Sequence, residues 1–168
     1  MKYECNLLIR IMLCFLPVSL FYFLFTYPTL YGSYLLLLYY KPVLIGQAII
    51  IGNILFNVVE ACIGGVAYLL LLLLILLTKE IAFKNRIKLF IIGSILIYLF
   101  NIIRISALIF LAVNYNLSYF DSIHLFIWKF FSGVYVALIW IFLVIKYKIK
   151  DVPILSDAKY LYKKSYFK

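Results

Sequence analysis

The stretch CIGGVAYLLLLLLILLT at residues 62–78, followed by KEIAFKNRIK at 79–88, decides how the rest of the chain is read. An uncharged apolar run gives way abruptly to Lys79, Lys84, Arg86 and Lys88. The run approaches the roughly 20 helical residues that cross a ~30 Å hydrocarbon core. Short loops rich in Lys and Arg stay on the cytoplasmic side of a membrane. The 79–88 loop is therefore expected inside, which places Cys62, at the far end of the run, at the outer interface.

Working outward, the same logic predicts three more spans, at about 7–27, 89–113 and 126–145. The segment 114–125 carries no Lys or Arg and one acid, Asp121, while the chain from Lys146 onward carries seven lysines. The first is expected outside and the second inside. The run from Leu7 has a basic front end but no small-x-small cleavage pattern after it (Thr26-Tyr27-Pro28-Thr29-Leu30), so it is expected to be a retained span with its N-terminus inside. Between the first two spans lies 28–61, expected to remain outside the membrane. It combines an interfacial helix near Tyr31–Tyr40 with a short β-hairpin over Gln47–Val59, turning at Gly52-Asn53. A single broken helix through this stretch is the alternative, and it leaves Cys62 outside as well.

The expected fold is thus an all-α polytopic membrane protein with about four transmembrane helices, an extracytoplasmic interfacial segment and a short β-hairpin. Residues 1–150 form one integral-membrane domain and 151–168 a basic cytoplasmic tail. Composition agrees: 68% of the 168 residues are hydrophobic and 13% charged, whereas a soluble domain is nearer half apolar and a quarter charged. The net charge of +10 reads as a topology signal and not as a nucleic-acid footprint, because thirteen of the sixteen basic residues sit at Lys2 and Arg10, in the 79–88 loop, and from Lys146 onward.

Ionisable groups within an apolar span are costly and call for a role. Asn101 and Arg104 lie one helical turn apart on one face of the third run. An arginine there can pair with backbone carbonyls or snorkel outward, or it can serve chemistry. His124, the single histidine, opens the last run one turn after Asp121, which could orient its ring. Cys5 and Cys14 read as small apolar filler. Cys62, Arg104 and His124 come from three different runs, yet the charge pattern assigns them one face of the bilayer. A thiol nucleophile needs a cation or imidazolium nearby to favour its thiolate. An imidazole can protonate a leaving amine, and a fixed guanidinium can stabilise an oxyanion. The trio fits acyl transfer.

The local sequences Glu60-Ala61-Cys62-Ile63-Gly64-Gly65, Asn101-Ile102-Ile103-Arg104-Ile105 and the His124 that opens the last run together resemble the archaeosortase/exosortase family. The resemblance covers roughly residues 40–145. It departs at Ile63, where the family commonly has Ser or Thr, and in the bulk of the sequence after His124. It implies a membrane cysteine protease/transpeptidase in the cytoplasmic membrane, its site facing outside and its C-terminus cytoplasmic. Implied substrates are surface proteins ending in a sorting motif, a transmembrane helix and a basic tail. Implied roles are Cys62 as nucleophile, His124 as acid/base and Arg104 as transition-state stabiliser. Glu60, Asn101 and Asp121 are supporting residues, and a membrane lipid is one candidate acceptor.

No metal or organic cofactor is expected. A His-Glu-x-x-His zinc pattern and a Gly-x-Ser-x-Gly elbow are both missing from the sequence. The competing reading is a non-catalytic substrate-binding or scaffolding subunit of a membrane transporter or assembly complex, in which Cys62 is dispensable.

Overall fold

The computed structural model describes residues 2–79, 81–114 and 132–149, with Pro153 and Tyr162. His124, Asp121 and residues 126–131 of the expected last span lie outside the described residues. Six helices are described: α1 (Lys2–Cys14), α2 (Val18–Leu36), α3 (Glu60–Ile63), α4 (Gly65–Leu76), α5 (Phe83–Asn114) and α6 (Ser132–Lys146). A short 3₁₀ turn at Leu38–Tyr40 leads from α2 into three strands, β1 (Val43–Ile45), β2 (Ala48–Ile51) and β3 (Ile54–Asn57).

The expectation of about four membrane-crossing helices is corrected. Among the described residues one helix, α5, is long and apolar enough to cross a membrane, or two if α1 and α2 together make one bent crossing. The physical reasons lie in local sequence. Pro17 has no amide proton and its ring disfavours helix in the residue before it, so the run at 7–27 breaks after Cys14. Its two halves meet at 67°. The expected 62–78 span splits at Gly64, whose φ of +70° belongs to the left-handed region. What remains is α4, twelve residues or about 18 Å at ~1.5 Å per residue. The described part of α6 has fifteen residues, about 22 Å by the same rise; residues 126–131 of that expected span lie outside the described residues.

The interfacial helix expected near Tyr31–Tyr40 is also corrected. Helix α2 continues through Pro28 to Leu36. The Pro28 carbonyl accepts a hydrogen bond from Tyr98 Oη at 3.1 Å. A Cβ at Gly32 would collide with the same tyrosine hydroxyl, so the bare glycine lets α2 and α5 approach.

Where a two-stranded hairpin was expected, the sheet has three antiparallel strands in the order β1-β2-β3. Val43 pairs with Ile50, and Ile51 with Ile54. Both connections are two-residue turns, Gly46-Gln47 and Gly52-Asn53. Each puts its glycine first, with φ of +61° and +59°, as type II′ hairpins require. The central strand β2 buries Ala48, Ile49 and Ile51.

Two apolar cores result. One joins α2, α4, α5 and α6 through Phe21, Tyr68, Leu71, Ile97, Val136 and Leu143. The other places the sheet over the end of α2, α3 and the last third of α5, through Leu30, Ile49, Phe56, Ile63, Ile105 and Ile109. Cys62 belongs to this second core.

The opposite end of the bundle is basic. Arg86, expected as one of the charges of a cytoplasmic loop, is buried. Its Nη1 donates to the carbonyls of Ile75 (2.6 Å) and Leu76 (3.0 Å), its Nη2 to Thr78 (2.7 Å) and Lys79 (3.1 Å), and its Nε to Ile81 (2.9 Å). Arg10 Nε also donates to the Leu76 carbonyl. The last turn of a helix leaves carbonyls without amide partners; here two guanidinium groups supply the donors for α4.

Candidate functional site

Helix α3 is one turn long and carries Cys62. Val59 enters it in extended conformation (φ −86°, ψ 168°), and Gly64 ends it in the left-handed conformation that suits glycine at a helix C-terminus. The Cys62 amide donates to the Val59 carbonyl at 2.8 Å. The cysteine is thereby fixed between the end of the sheet and the head of α4.

Helix α5 reaches this turn with two side chains. Arg104 Nη2 donates to the carbonyls of Cys62 at 3.0 Å and Ala61 at 3.1 Å. One turn earlier Asn101, buried, donates from Nδ2 to the Ile63 carbonyl at 2.6 Å. Tyr135 of α6 donates to Asn101 Oδ1 at the long limit of 3.5 Å. A Cβ at Gly64 would stand 2.9 Å from Asn101 Nδ2, so the glycine is required by close approach as well as by its φ. The Asn-x-x-Arg spacing therefore grips three successive carbonyls, 61 to 63, around the thiol.

Cys62 and Arg104 line a small pocket of about 20 Å³, closed by Phe56, Val58, Ile105 and Leu108. That volume holds about one water-sized molecule. Burial pushes the Cys62 thiol up from its ordinary value, while a backbone hydrogen bond at Val59 and the Arg104 charge pull it back in part. Burial on balance favours the protonated thiol. Arg104 Nε is buried and, among the described residues, without a hydrogen-bond partner.

Of the expected site residues, the structure brings together Cys62, Arg104 and Asn101. Glu60 lies in the first turn of α3 and is exposed. His124 and Asp121 fall outside the described residues. Among the described residues no group of three or more His, Cys, Asp or Glu side chains could hold a metal ion.

Tyr135 was missed by sequence reasoning. Its signal is weak, one phenol among sixteen tyrosines in an aromatic-rich chain. Comparison with protein-family models, with curated proteins and with solved structures gives no match.

Proposed function

We propose that this chain is a membrane-embedded cysteine peptidase and transferase that removes C-terminal sorting signals from surface proteins. The observation that carries the reading is the Arg104 bridge to the Cys62 carbonyl, which holds a guanidinium beside the thiol carried by the one-turn helix α3. Helix α5 lies in the cytoplasmic membrane, with α3 and the sheet at its outer end. The segregation of Lys84, Lys88, Lys146 and Lys148 to the opposite end supports that orientation.

In this mechanism His124 takes the thiol proton and the Cys62 thiolate attacks the scissile carbonyl, forming a carbon–sulfur bond. Arg104 stabilises the resulting oxyanion. Collapse breaks the carbon–nitrogen bond, and the amine of the departing membrane helix and basic tail takes its proton from His124. A hydroxyl or amine acceptor, on a lipid or in water, then displaces sulfur and restores the thiol. Because the resting pocket admits about one water, substrate entry requires its lining residues to move apart.

The test is co-expression with a surface protein ending in an apolar helix and basic tail, followed by intact-mass measurement of that substrate. Loss of the C-terminal segment with the wild type, but not with Cys62→Ala, Arg104→Ala or His124→Ala at matched membrane levels, is the expected result. Equal cleavage by wild type and Cys62→Ala overturns it. The enclosed thiol, whose protonated form burial favours, supports the second reading, a non-catalytic binding or scaffolding subunit, for which Cys62→Ala retains function.

A further inference from the structure

A second cavity adjoins Arg104 from the other side. It is a groove of about 500 Å³ between α5 and α6, within the ~300–1,000 Å³ typical of small-molecule sites. Leu96, Phe100, Leu138 and Phe142 line its length, and Asn101, Arg104 and Tyr135 stand toward one end. From Leu96 to Arg104 it follows α5 for about 12 Å at ~1.5 Å per residue. Arg104 is the one charge among the described lining residues. Its Nε, buried and unpartnered among the described residues, leaves the guanidinium with donor capacity beyond the Ala61 and Cys62 carbonyls.

We propose that this groove binds one acyl chain of an anionic phospholipid, whose headgroup phosphate accepts hydrogen bonds from Arg104. An elongated apolar channel ending in a single cation matches an amphiphile with an apolar chain and an anionic head. Arginine pairs with phosphate through a planar set of donors. An apolar helix would leave the cation uncompensated. The site rests on the membrane placement of α5 proposed above and not on the chemistry of Cys62.

The full chain, purified in neutral detergent, is incubated with phosphatidylglycerol bearing a photoreactive acyl chain, and adducts are mapped by peptide mass spectrometry. Adducts are expected in 96–104 and 134–142. Unlabelled phosphatidylglycerol should compete ~10-fold better than phosphatidylcholine of the same chains, because the choline ammonium neutralises the phosphatidylcholine headgroup and leaves less net charge for Arg104 to attract. Arg104→Gln should remove that preference, and Leu138→Trp should remove the adducts by filling the groove. Cys62→Ala should leave labelling unchanged, so loss of processing and loss of lipid binding are separable. Equal competition by the two lipids in the wild-type protein overturns the proposal, whatever the variants do. Adducts confined to other segments, or displaced by an uncharged transmembrane peptide and not by phosphatidylglycerol, overturn it as well.

Discussion

Arg104 and Cys62, 42 residues apart in sequence, are joined by a 3.0 Å hydrogen bond from the guanidinium Nη2 to the cysteine carbonyl. The same nitrogen holds Ala61 at 3.1 Å. The arginine is therefore both a brace for the cysteine turn and, among the described residues, a positive charge that acts on its thiol.

These two roles separate by substitution. Arg104→Lys keeps a charge but lacks the planar set of donors. It should unfold within about 1 kcal/mol of wild type, since the contacts are only partly buried. Processing should fall by ~10²-fold or more, as for loss of one oxyanion donor. Thermal unfolding in detergent, together with the cleavage rate from intact mass, checks both halves. Equal activity in Arg104→Lys would limit the residue to bracing.

Alkylation of Cys62 should be slow near neutral pH and should accelerate as pH rises through a folded-state value that burial has raised. Because Arg104 lowers that value, Arg104→Gln should move the alkylation profile to still higher pH. The unfolded thiol ionises first, so this group's contribution to stability is intact below the unfolded value and declines as pH rises above it. Maleimide labelling followed by mass over a pH series measures the shift, and an unchanged profile in Arg104→Gln would argue against the coupling.

Gly64→Ala should destabilise the protein by roughly 2 kcal/mol. A positive φ costs a residue with Cβ about 1–2 kcal/mol, and the added carbon would press on Asn101 at 2.9 Å. Asn101→Leu should cost about 1–3 kcal/mol, because it leaves the buried Ile63 carbonyl without its donor. The two residues touch, so the double variant should cost less than the sum of the singles. Thermal or denaturant unfolding of all three variants provides the cycle.

At the basic end, Arg86→Met should be the more damaging change, by several kcal/mol, because it removes five donated hydrogen bonds from carbonyls between Ile75 and Ile81, of which Leu76 keeps the donor from Arg10, at about 1–3 kcal/mol for each buried group left unpaired. Lys84→Ala and Lys88→Ala, on exposed side chains, should stay within about 0.5 kcal/mol. Comparable unfolding temperatures for all three would contradict the capping role.

Apolar runs and charge placement were sufficient to expect a helical chain with basic residues at one end and Cys62 at the other. The strand-forming stretch before Cys62 was also legible, because Ile and Val flank a Gly-Asn turn. So was the pairing of Asn101 and Arg104 on one face, since both follow from the helical repeat. The number and length of the helices were not. Hydropathy averages over Pro17 and Gly64, but a missing amide and a left-handed φ break the backbone locally however apolar the neighbours are. Nor could charge counting distinguish Arg86 from Lys84. One is buried against the end of α4 and the other exposed, a difference set by which carbonyls tertiary packing leaves within reach. Which three carbonyls Asn101 and Arg104 hold, and the groove that α6 completes beside them, depended on the third dimension for the same reason: each is a contact between elements whose sequence separation carries no record of their distance.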